Sequence, residues 1–283
     1  MDTGSESASF LEVLLFLFAT GIVLYIRIIF MFRPYGNRLV PGYLYLRKLE
    51  SRYKPSLERY FPFYNALSDK KKRHFEKRVQ KFIDIKQFIP RGGIGQVTPE
   101  MKAMIAATAI QLTFGYPRVY FRHFRKILIY PDNYYSTITR MYHKGEVNVR
   151  GIIVLSWKSF HEGFVNPTDG MNLGLHEMAH ALRLINIVSN DEYNFYDRRI
   201  MDAFDREAVI EIEKMKSGPE GSSIFRNYSV TNKEEFFAVA VEFFFERSCI
   251  FREYNQKLYT AMVRIFRIDP EPICRAAQYG RTA

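Results

Sequence analysis

The hydrophobic and polar positions divide the chain into one long apolar run followed by segments of helical and strand periodicity. Residues 10–32 form the apolar run and hold only two charged side chains, Glu12 and Arg27. At 1.5 Å rise per residue, this run can cross a hydrocarbon layer of roughly 30 Å. It therefore predicts an N-terminal transmembrane helix, with a buried helix of a globular domain as the alternative.

Helical periodicity returns after Ser68. In residues 69–86 apolar side chains recur at helical spacing, opposite a basic face that is interpreted as solvated or as facing anionic lipid. Thr98 and Pro99 are typical of a helix start, and the small apolar residues that follow indicate burial. Further helices are predicted near residues 171–187, 197–216, 232–247 and 254–267.

Strand periodicity lies between these helices. Residues 125–131 alternate around isoleucines, residues 146–157 are rich in β-branched side chains, and residues 161–170 read as a loop. Because strands precede helices with little βαβ alternation, we predict an α+β domain with a small mixed sheet. The segment Gly151–Trp157 is a candidate edge for pairing with an extended peptide, or an ordinary sheet strand with Trp157 in the core.

Composition and charge narrow the class of protein. The chain is 47% hydrophobic and 25% charged, as expected for a globular protein. Residues 33–91 carry 16 Lys and Arg against 5 Asp and Glu, so most of the net charge of +11 follows the apolar run. The positive-inside rule then predicts a single-pass protein of the inner membrane whose remainder faces the cytoplasm. No nucleic-acid recognition motif accompanies the basic segment, and no nucleic-acid partner is expected.

Two cysteines, Cys249 and Cys274, are the only ones in the chain. Two are too few for a disulfide scaffold in a protein of 283 residues. This usage fits a reducing compartment.

The clearest chemical signal is a His-Glu-x-x-His pattern. His176 and His180 lie four residues apart in a predicted helix, so both imidazoles project from one face and can bind one zinc ion. Glu177 lies beside the first histidine, where a carboxylate can accept a proton from water. A surface helix with a chance histidine pair is the alternative, because a catalytic site also needs a third ligand.

The third ligand is not given by the local sequence. A longer motif with a further histidine is excluded, because Arg183 and Asn186 occupy the positions that it needs. In residues 231–246, Glu235 and Glu242 lie two turns apart on one face of an apolar helix, although Glu235 also fits a helix-capping role after Asn232. The downstream acidic candidates are Glu192, Glu207, Glu211, Glu213, Glu234, Glu235, Glu242 and Glu246.

Several ordered blocks resemble the MtfA-like (Mlc titration factor A) zinc metallopeptidase family, whose catalytic domain is similar to that of anthrax lethal factor. The resemblance runs from about Phe61 to Phe251. The blocks include LSDKKKRHFEKRVQKFIDIKQF, MIAATAIQL, ILIYPDNYYS, PTDGMNLGLHEMAHALR and YSVTNKEEFFAVAVEFFFE. The family implies a zincin-like α+β fold with an active-site helix.

The resemblance also implies roles for individual residues. In that family the third ligand is the Glu directly before Phe-Phe-Ala, with a Tyr seven residues earlier, which points to Glu235 and Tyr228. Together with His176 and His180, Glu235 would bind one Zn²⁺ per chain. Glu177 would activate the zinc-bound water, and Tyr228 would stabilise the oxyanion during hydrolysis of a peptide or protein substrate.

One departure from the family and one alternative function accompany this prediction. Family members tend to have Lys-Leu-Asp where this chain has Ala181-Leu182-Arg183, which puts substrate preference in doubt. The alternative is a non-catalytic or weakly catalytic zinc-containing regulatory protein that binds a protein partner. The predicted organisation is a membrane anchor (1–33), a basic connector (34–67), the metallopeptidase domain (68–270) and a C-terminal tail (271–283).

Overall fold

The chain divides into two compact units, residues 1–46 and residues 47–283. The computed structural model describes residues 18, 20–25, 46–136, 140–166, 169–188, 190, 192, 194–219 and 223–279, without the side chains of Tyr228 and residues 276–279. The second unit therefore includes residues 47–67, which the sequence assigned to a connector. The predicted domain boundaries stay predictions.

Eleven helices are described in the second unit, together with short 3-10 helices at Ser51–Tyr53 and Asn227–Val230. They are α1 (Lys54–Tyr60), α2 (Pro62–Asn65), α3 (Asp69–Ile85), α4 (Pro99–Leu112), α5 (Trp157–Val165), α6 (Leu173–Ile187), α7 (Arg198–Ser217), α8 (Lys233–Glu246), α9 (Ser248–Tyr254), α10 (Gln256–Phe266) and α11 (Glu271–Tyr279).

The strands form two small sheets. They are β1 (Gln87–Pro90), β2 (Lys126–Tyr130), β3 (Tyr134–Ser136), β4 (Met141–His143), β5 (Gly145–Asn148) and β6 (Ile152–Ser156). The larger sheet has the order β1-β2-β6-β5, and only β5 is antiparallel to its neighbour. Strands β3 and β4 form a separate antiparallel pair. The mixed helix and sheet content predicted from the sequence is confirmed.

Three apolar helices form the centre of the core. Helix α6 packs against both α4 and α8. Helix α4 begins where Thr98 accepts a hydrogen bond from the Met101 amide, and its small side chains are almost all buried. Helix α8 buries every residue from Phe236 to Phe244, and each Phe so placed contributes about 1.5–3 kcal/mol of hydrophobic stabilisation. This rigid packing holds α6 and α8 side by side.

The buried face of α3 includes an arginine among its apolar side chains. Arg78 is fully buried and donates hydrogen bonds to the carbonyls of Thr113, Tyr116 and Val119. These carbonyls belong to the segment that follows the end of α4, and the Arg78 guanidinium donates to all three. Arg78 therefore has a structural role, since an unpaired buried carbonyl is costly.

The transmembrane helix predicted over residues 10–32 was wrong as part of the fold. Among the residues that the structure describes, no helix is both long and apolar enough to cross a membrane. Apart from residues 18 and 20–25, residues 10–32 lie outside the described part. Membrane association is therefore unsupported, and a cytoplasmic location stays a prediction.

The segment predicted as one strand, residues 146–157, is instead a hairpin followed by a helix. Strands β5 and β6 pair antiparallel, with Asn148 opposite Ile152. The chain turns between them because the Asn148 side chain accepts a hydrogen bond from the Arg150 amide and Gly151 adopts a φ of +82°. Residues 157–165, partly read as a loop, form α5, and Ser156 caps it. Trp157 is half-buried at the start of this helix.

The two cysteines form one disulfide bond. Cys249 on α9 and Cys274 on α11 have Cα atoms 6.0 Å apart, a separation that suits such a bond. The bond ties α11 to the body of the second unit, and it disagrees with the reducing compartment that the cysteine count suggests.

Candidate active site

The His-Glu-x-x-His pattern lies on α6, whose start is fixed by side-chain hydrogen bonds. The Asn172 side chain caps the helix by accepting a hydrogen bond from the Leu175 amide, and the Asp169 side chain accepts one from the Met171 amide. A Cβ atom at Gly174 would lie 2.5 Å from the Phe160 ring, so α6 approaches α5 more closely than any larger residue allows. The histidines therefore project from a rigid helix.

Glu235 comes from the first turn of α8. Asn232 caps this helix by accepting a hydrogen bond from the Glu235 backbone amide. The Glu235 side chain points away from the cap: its Oε2 lies 3.2 Å from His176 Nε2, and its Oε1 lies 3.5 Å from His180 Nε2. The Asn232 side chain therefore caps the helix, and the Glu235 carboxylate faces the two histidines instead of serving as a cap.

The three side chains have the spacing of a metal site. The Nε2 atoms of His176 and His180 are 3.1 Å apart, and the separations from Glu235 are similar. Ligands bound tetrahedrally to zinc at about 2.0–2.1 Å lie about 3.3 Å from one another. The Oε2 atom of Glu235 is buried and has no hydrogen-bond partner within the described residues. Within the described part of the chain, these three side chains are the one group found that could hold a metal ion. We call His176, His180 and Glu235 the metal cluster.

The electrostatics of this cluster favour a cation. Burial lowers the pKa of His176, but the carboxylates of Glu235 and Glu242 outweigh it and raise that pKa to about 10. Burial raises the pKa of Glu235, but His176 and His180 outweigh it and the pKa falls well below its usual range. A negative potential that stabilises a proton on an imidazole also stabilises a metal cation at the same nitrogens, and the two compete.

Glu177 lies next to the cluster without belonging to it. Its carboxylate is buried, and burial raises its pKa above the usual range of a glutamate. Within the described residues it makes no hydrogen bond to the protein, so its oxygens are available to another partner. Strand β5 passes directly over it: a Cβ atom at Gly145 would lie 2.5 Å from Glu177 Oε1. Any larger residue at position 145 would overlap the Glu177 carboxylate in its observed position.

Glu242, an alternative ligand in the sequence, contacts His176 at the ring nitrogen that does not face His180 and Glu235. Its Oε1 lies 2.9 Å from His176 Nδ1, and its Oε2 accepts a hydrogen bond from the Asn172 amide. With Nδ1 engaged, His176 presents Nε2 to His180 and Glu235. A carboxylate in this position fixes the tautomer and ring orientation of a ligand histidine.

Arg226 is a residue that the sequence did not single out. Its Nη2 atom donates to Glu242 Oε1 at 2.5 Å, and the Glu242 side chain is buried, with 1% of its surface exposed. An isolated buried carboxylate is costly, so Arg226 offsets much of that cost. Sequence spacing gave no signal for this contact, because residues 226 and 242 meet only through packing of the 3-10 helix against α8.

Tyr228, two residues after Arg226, lies in the 3-10 helix Asn227–Val230, which packs against α8. Its side chain lies outside the described part. Its assignment as an oxyanion donor therefore stays a prediction.

Most of the other acidic candidates have partners elsewhere. Glu192 accepts hydrogen bonds from the amides of Tyr120 and Arg122. Glu211 accepts one from Ser223, and Glu246 accepts one from Asn172. The remaining candidates on α7 and α8 are not part of the metal cluster: Glu207, Glu213 and Glu234.

Arg183, where the chain leaves the family pattern, faces α7 and α8. Its guanidinium lies 3.7 Å from Asp205, 3.6 Å from Glu234 and over the ring of Phe237. It thus joins three helices at the end of the motif and touches no residue of the metal cluster.

The free sheet edge beside the site is β5, not the predicted Gly151–Trp157 strand. Strand β6 is paired on both sides, with β2 and with β5. Strand β5 pairs with β6 alone among the described strands, and it packs against α6. An extended peptide added to this edge would therefore run past Glu177.

Comparison with known proteins places the chain in a family. The model of the family described as glucose-regulated metallo-peptidase M90 matches residues 43–267, which include the cluster and Glu177. The chain belongs to the M90 metallo-peptidase family. The M90 match extends beyond the 61–251 resemblance and covers residues 43–60, which include α1.

Individual relatives agree with the M90 assignment. An uncharacterized protein of Synechocystis is 27% identical over 246 residues, covering 80% of this chain and 87% of the relative. Mlc titration factor A of Edwardsiella ictaluri is 26% identical over 74% of this chain and 85% of its own length. The protein of that name in Yersinia pestis is 25% identical over 74% and 82%. The MtfA-like family predicted from the sequence is confirmed.

Proposed function

We propose that this M90 protein is a zinc-dependent peptidase that hydrolyses peptide bonds of a peptide or protein substrate. The observation that carries the proposal is the placement of the buried Glu177 carboxylate beside a cluster of two imidazoles and one carboxylate at ligand spacing. His176, His180 and Glu235 would hold the metal. When bound, zinc supplies Lewis-acid chemistry that polarises a carbonyl and acidifies water.

Glu177 acts as general base and then as general acid. It accepts a proton from the attacking water and later gives that proton to the leaving amine. Burial supports both steps, because a pKa raised toward neutrality makes a carboxylate a better proton acceptor and its acid a competent donor. Tyr228 is assigned to the developing oxyanion, a task that suits a phenol that is neutral at pH 7.

Strand β5 binds the substrate backbone in this proposal. Its outer edge has backbone amides and carbonyls that pair with no other described strand. A peptide bound there as an added strand would be held by main-chain hydrogen bonds, which do not depend on its sequence. Selectivity then comes from side chains around the edge, including the exposed Tyr135, Met141 and Tyr142 of the β3–β4 pair.

The test of the function is metal dependence of cleavage. Purified full-length protein is expected to contain about one zinc per chain by elemental analysis and to cleave members of a peptide library. A strong chelator should abolish cleavage, and added Zn²⁺ should restore it, because a chelated site lacks its Lewis acid. Cleavage that persists after complete metal removal would contradict the proposal.

Gly145→Ala tests the position of Glu177. The added methyl group overlaps only side-chain atoms of Glu177 and no backbone, so the side chain must shift while the protein should still fold and bind zinc. Displacement of the base by about 1 Å is expected to lower kcat by about 100-fold. The matched control is Gly95→Ala, since a Cβ atom there meets nothing within 4 Å. Unchanged kcat in Gly145→Ala would show that Glu177 does not act from its observed position.

Glu242→Gln tests the support of His176. The variant keeps the shape of the side chain but removes the charge that faces His176 Nδ1 and Arg226. Zinc affinity should fall by about 10–100-fold, as is usual for such partners of metal ligands. Competition with a chelator of known affinity measures this. Glu253→Gln, at an exposed carboxylate on α9, should leave zinc affinity unchanged.

A regulatory role is a second candidate, and the names of the relatives favour it. Two of them are called Mlc titration factor A, a name that implies binding of a partner protein. A role of this kind does not need hydrolysis. Partner binding that survives in a hydrolysis-deficient Glu177 variant would support it, whereas loss of every effect together with hydrolysis would argue for the peptidase alone.

A further inference from the structure

A cavity of about 300 Å³ lies apart from the metal cluster. This volume is in the range of sites for small molecules. It lies against the start of α6 and the end of α8, and none of the three metal ligands lines it. Five aromatic side chains give it an apolar wall: Tyr60, Phe61, Phe63, Phe164 and Phe245.

The cavity has a cation available at its wall. Arg247 lines it, and its guanidinium lies over the Phe243 ring at 5.4 Å. No carboxylate of the described residues lies within ion-pair distance of Arg247. A positive group beside an apolar space complements a ligand with an apolar body and one anionic end.

Glu246 is the acidic side chain that lines the same cavity. Burial raises its pKa to about 8, because the loss of water outweighs the hydrogen bond that the Asn172 side chain donates to the carboxylate. At neutral pH this carboxyl group is therefore largely uncharged. It does not oppose an anion and can donate a hydrogen bond to it.

The cavity also contacts the residue that fixes the start of the motif helix. Asn172 lines it and donates from its side chain to Glu246. The Asn172 backbone amide donates to Glu242, which in turn faces His176 Nδ1. Asn172 is thus linked to the His176 side chain through Glu242. A molecule that moves Asn172 would therefore disturb the contact that Glu242 makes with His176.

We propose that this cavity binds an apolar monocarboxylate, of the fatty-acid type, and that binding alters metal affinity through Asn172 and Glu242. The apolar part of the ligand contacts the aromatic wall, and the carboxylate pairs with Arg247. The binding step is independent of the peptidase function. The effect on the metal rests on the metal site of that proposed function.

The first experiment measures binding of decanoate to the full-length protein as purified, by isothermal titration calorimetry. Decanoate should bind at one site, and Arg247→Gln should weaken it by about 10-fold or more, the effect of losing a charge-assisted hydrogen bond. Decanol serves as the uncharged probe, and its affinity should not depend on Arg247. Absence of decanoate binding, equal affinity of decanol, or no effect of Arg247→Gln would each overturn the proposal.

A second pair of variants locates the site. Ile250 lines the cavity and is partly exposed, so a larger side chain can enter the cavity without disrupting the core. Ile250→Trp should abolish decanoate binding, whereas Ile210→Trp, at an exposed position on α7, should not. Circular dichroism and Tm confirm that both variants fold. Undiminished binding to folded Ile250→Trp would place the ligand elsewhere and refute the assignment.

The third measurement tests the link to the metal. Zinc affinity, obtained by chelator competition, should change by about threefold or more when decanoate is saturating, and zinc should change decanoate affinity by the same factor. Equal zinc affinities with and without decanoate would contradict the coupling. Both readouts are independent of hydrolysis, so failure here is distinguishable from failure of the peptidase function.

Discussion

Replacing Glu177 with Gln should reduce peptide hydrolysis by about 10²–10⁴-fold, the usual contribution of a general base, and leave zinc bound. The glutamine keeps the size of the side chain but cannot accept the proton. Because Glu177 lies beside the cluster rather than in it, the donors of His176, His180 and Glu235 are unchanged. Removal of a buried carboxylate that makes no protein hydrogen bond should also not lower the stability.

The measurement combines kcat/KM on a cleaved peptide with zinc content and Tm of the same preparation. Glu213→Gln, at an exposed carboxylate on α7, controls for loss of one negative charge and should retain full activity. Zinc lost together with activity in Glu177→Gln would assign Glu177 a ligand role. Activity within about 10-fold of the wild type would exclude it as the base.

Local chemistry made much of the helical architecture predictable. Thr98, Asn172 and Asn232 each cap a helix through hydrogen bonds within the next three residues, so their signals are contained in short stretches of sequence. Strand β1 was not predicted, because it has only four residues and ends in Pro90. The sequence predicts one strand over the β5–β6 hairpin, because the turn at Val149–Gly151 is short and has β-branched residues on both sides.

The three proposed ligands were predictable from the sequence, His176 and His180 from their spacing and Glu235 from the family resemblance. The contacts that support them were not. The role of Glu242 depends on which carboxylate of α8 reaches Nδ1 of His176, and that is set by how α6 and α8 pack. Arg226 is further from prediction, because its partner is 16 residues away along the chain. Periodicity gives the face of a helix, whereas the atom that a side chain reaches depends on tertiary packing.

The contacts of Arg183 explain why this chain has a basic residue where family members tend to have an acidic one. Its partners, Asp205 on α7 and Glu234 on α8, are acidic, so a positive charge matches this part of the fold. An acid at position 183 would face both carboxylates and be repelled. The difference therefore concerns the ion pairs that link α6 to α7 and α8 rather than the metal cluster.

Glu235→Ala is expected to lower zinc affinity by more than about 100-fold, beyond the loss caused by removing a partner of a ligand histidine. The cluster then has two imidazoles and no carboxylate, and the negative potential that favours a cation is weakened. The cap of α8 is unaffected, because Asn232 bonds to the backbone of residue 235 and not to its side chain. Metal binding should therefore fall without loss of the helix.

Glu234→Ala is the matched control, one position earlier on the same turn of α8. Its carboxylate is 59% exposed and faces Arg183 instead of the histidines, so zinc affinity should stay within about threefold of the wild type. Thermal unfolding gives an independent readout. Zinc at 100 times its Kd should stabilise the wild type and Glu234→Ala by about 2.7 kcal/mol, and Glu235→Ala by far less. Equal stabilisation of all three proteins would exclude Glu235 as a ligand. If the Glu235 carboxylate binds zinc, removing it must weaken zinc binding and so reduce the stabilisation that zinc gives to the folded state.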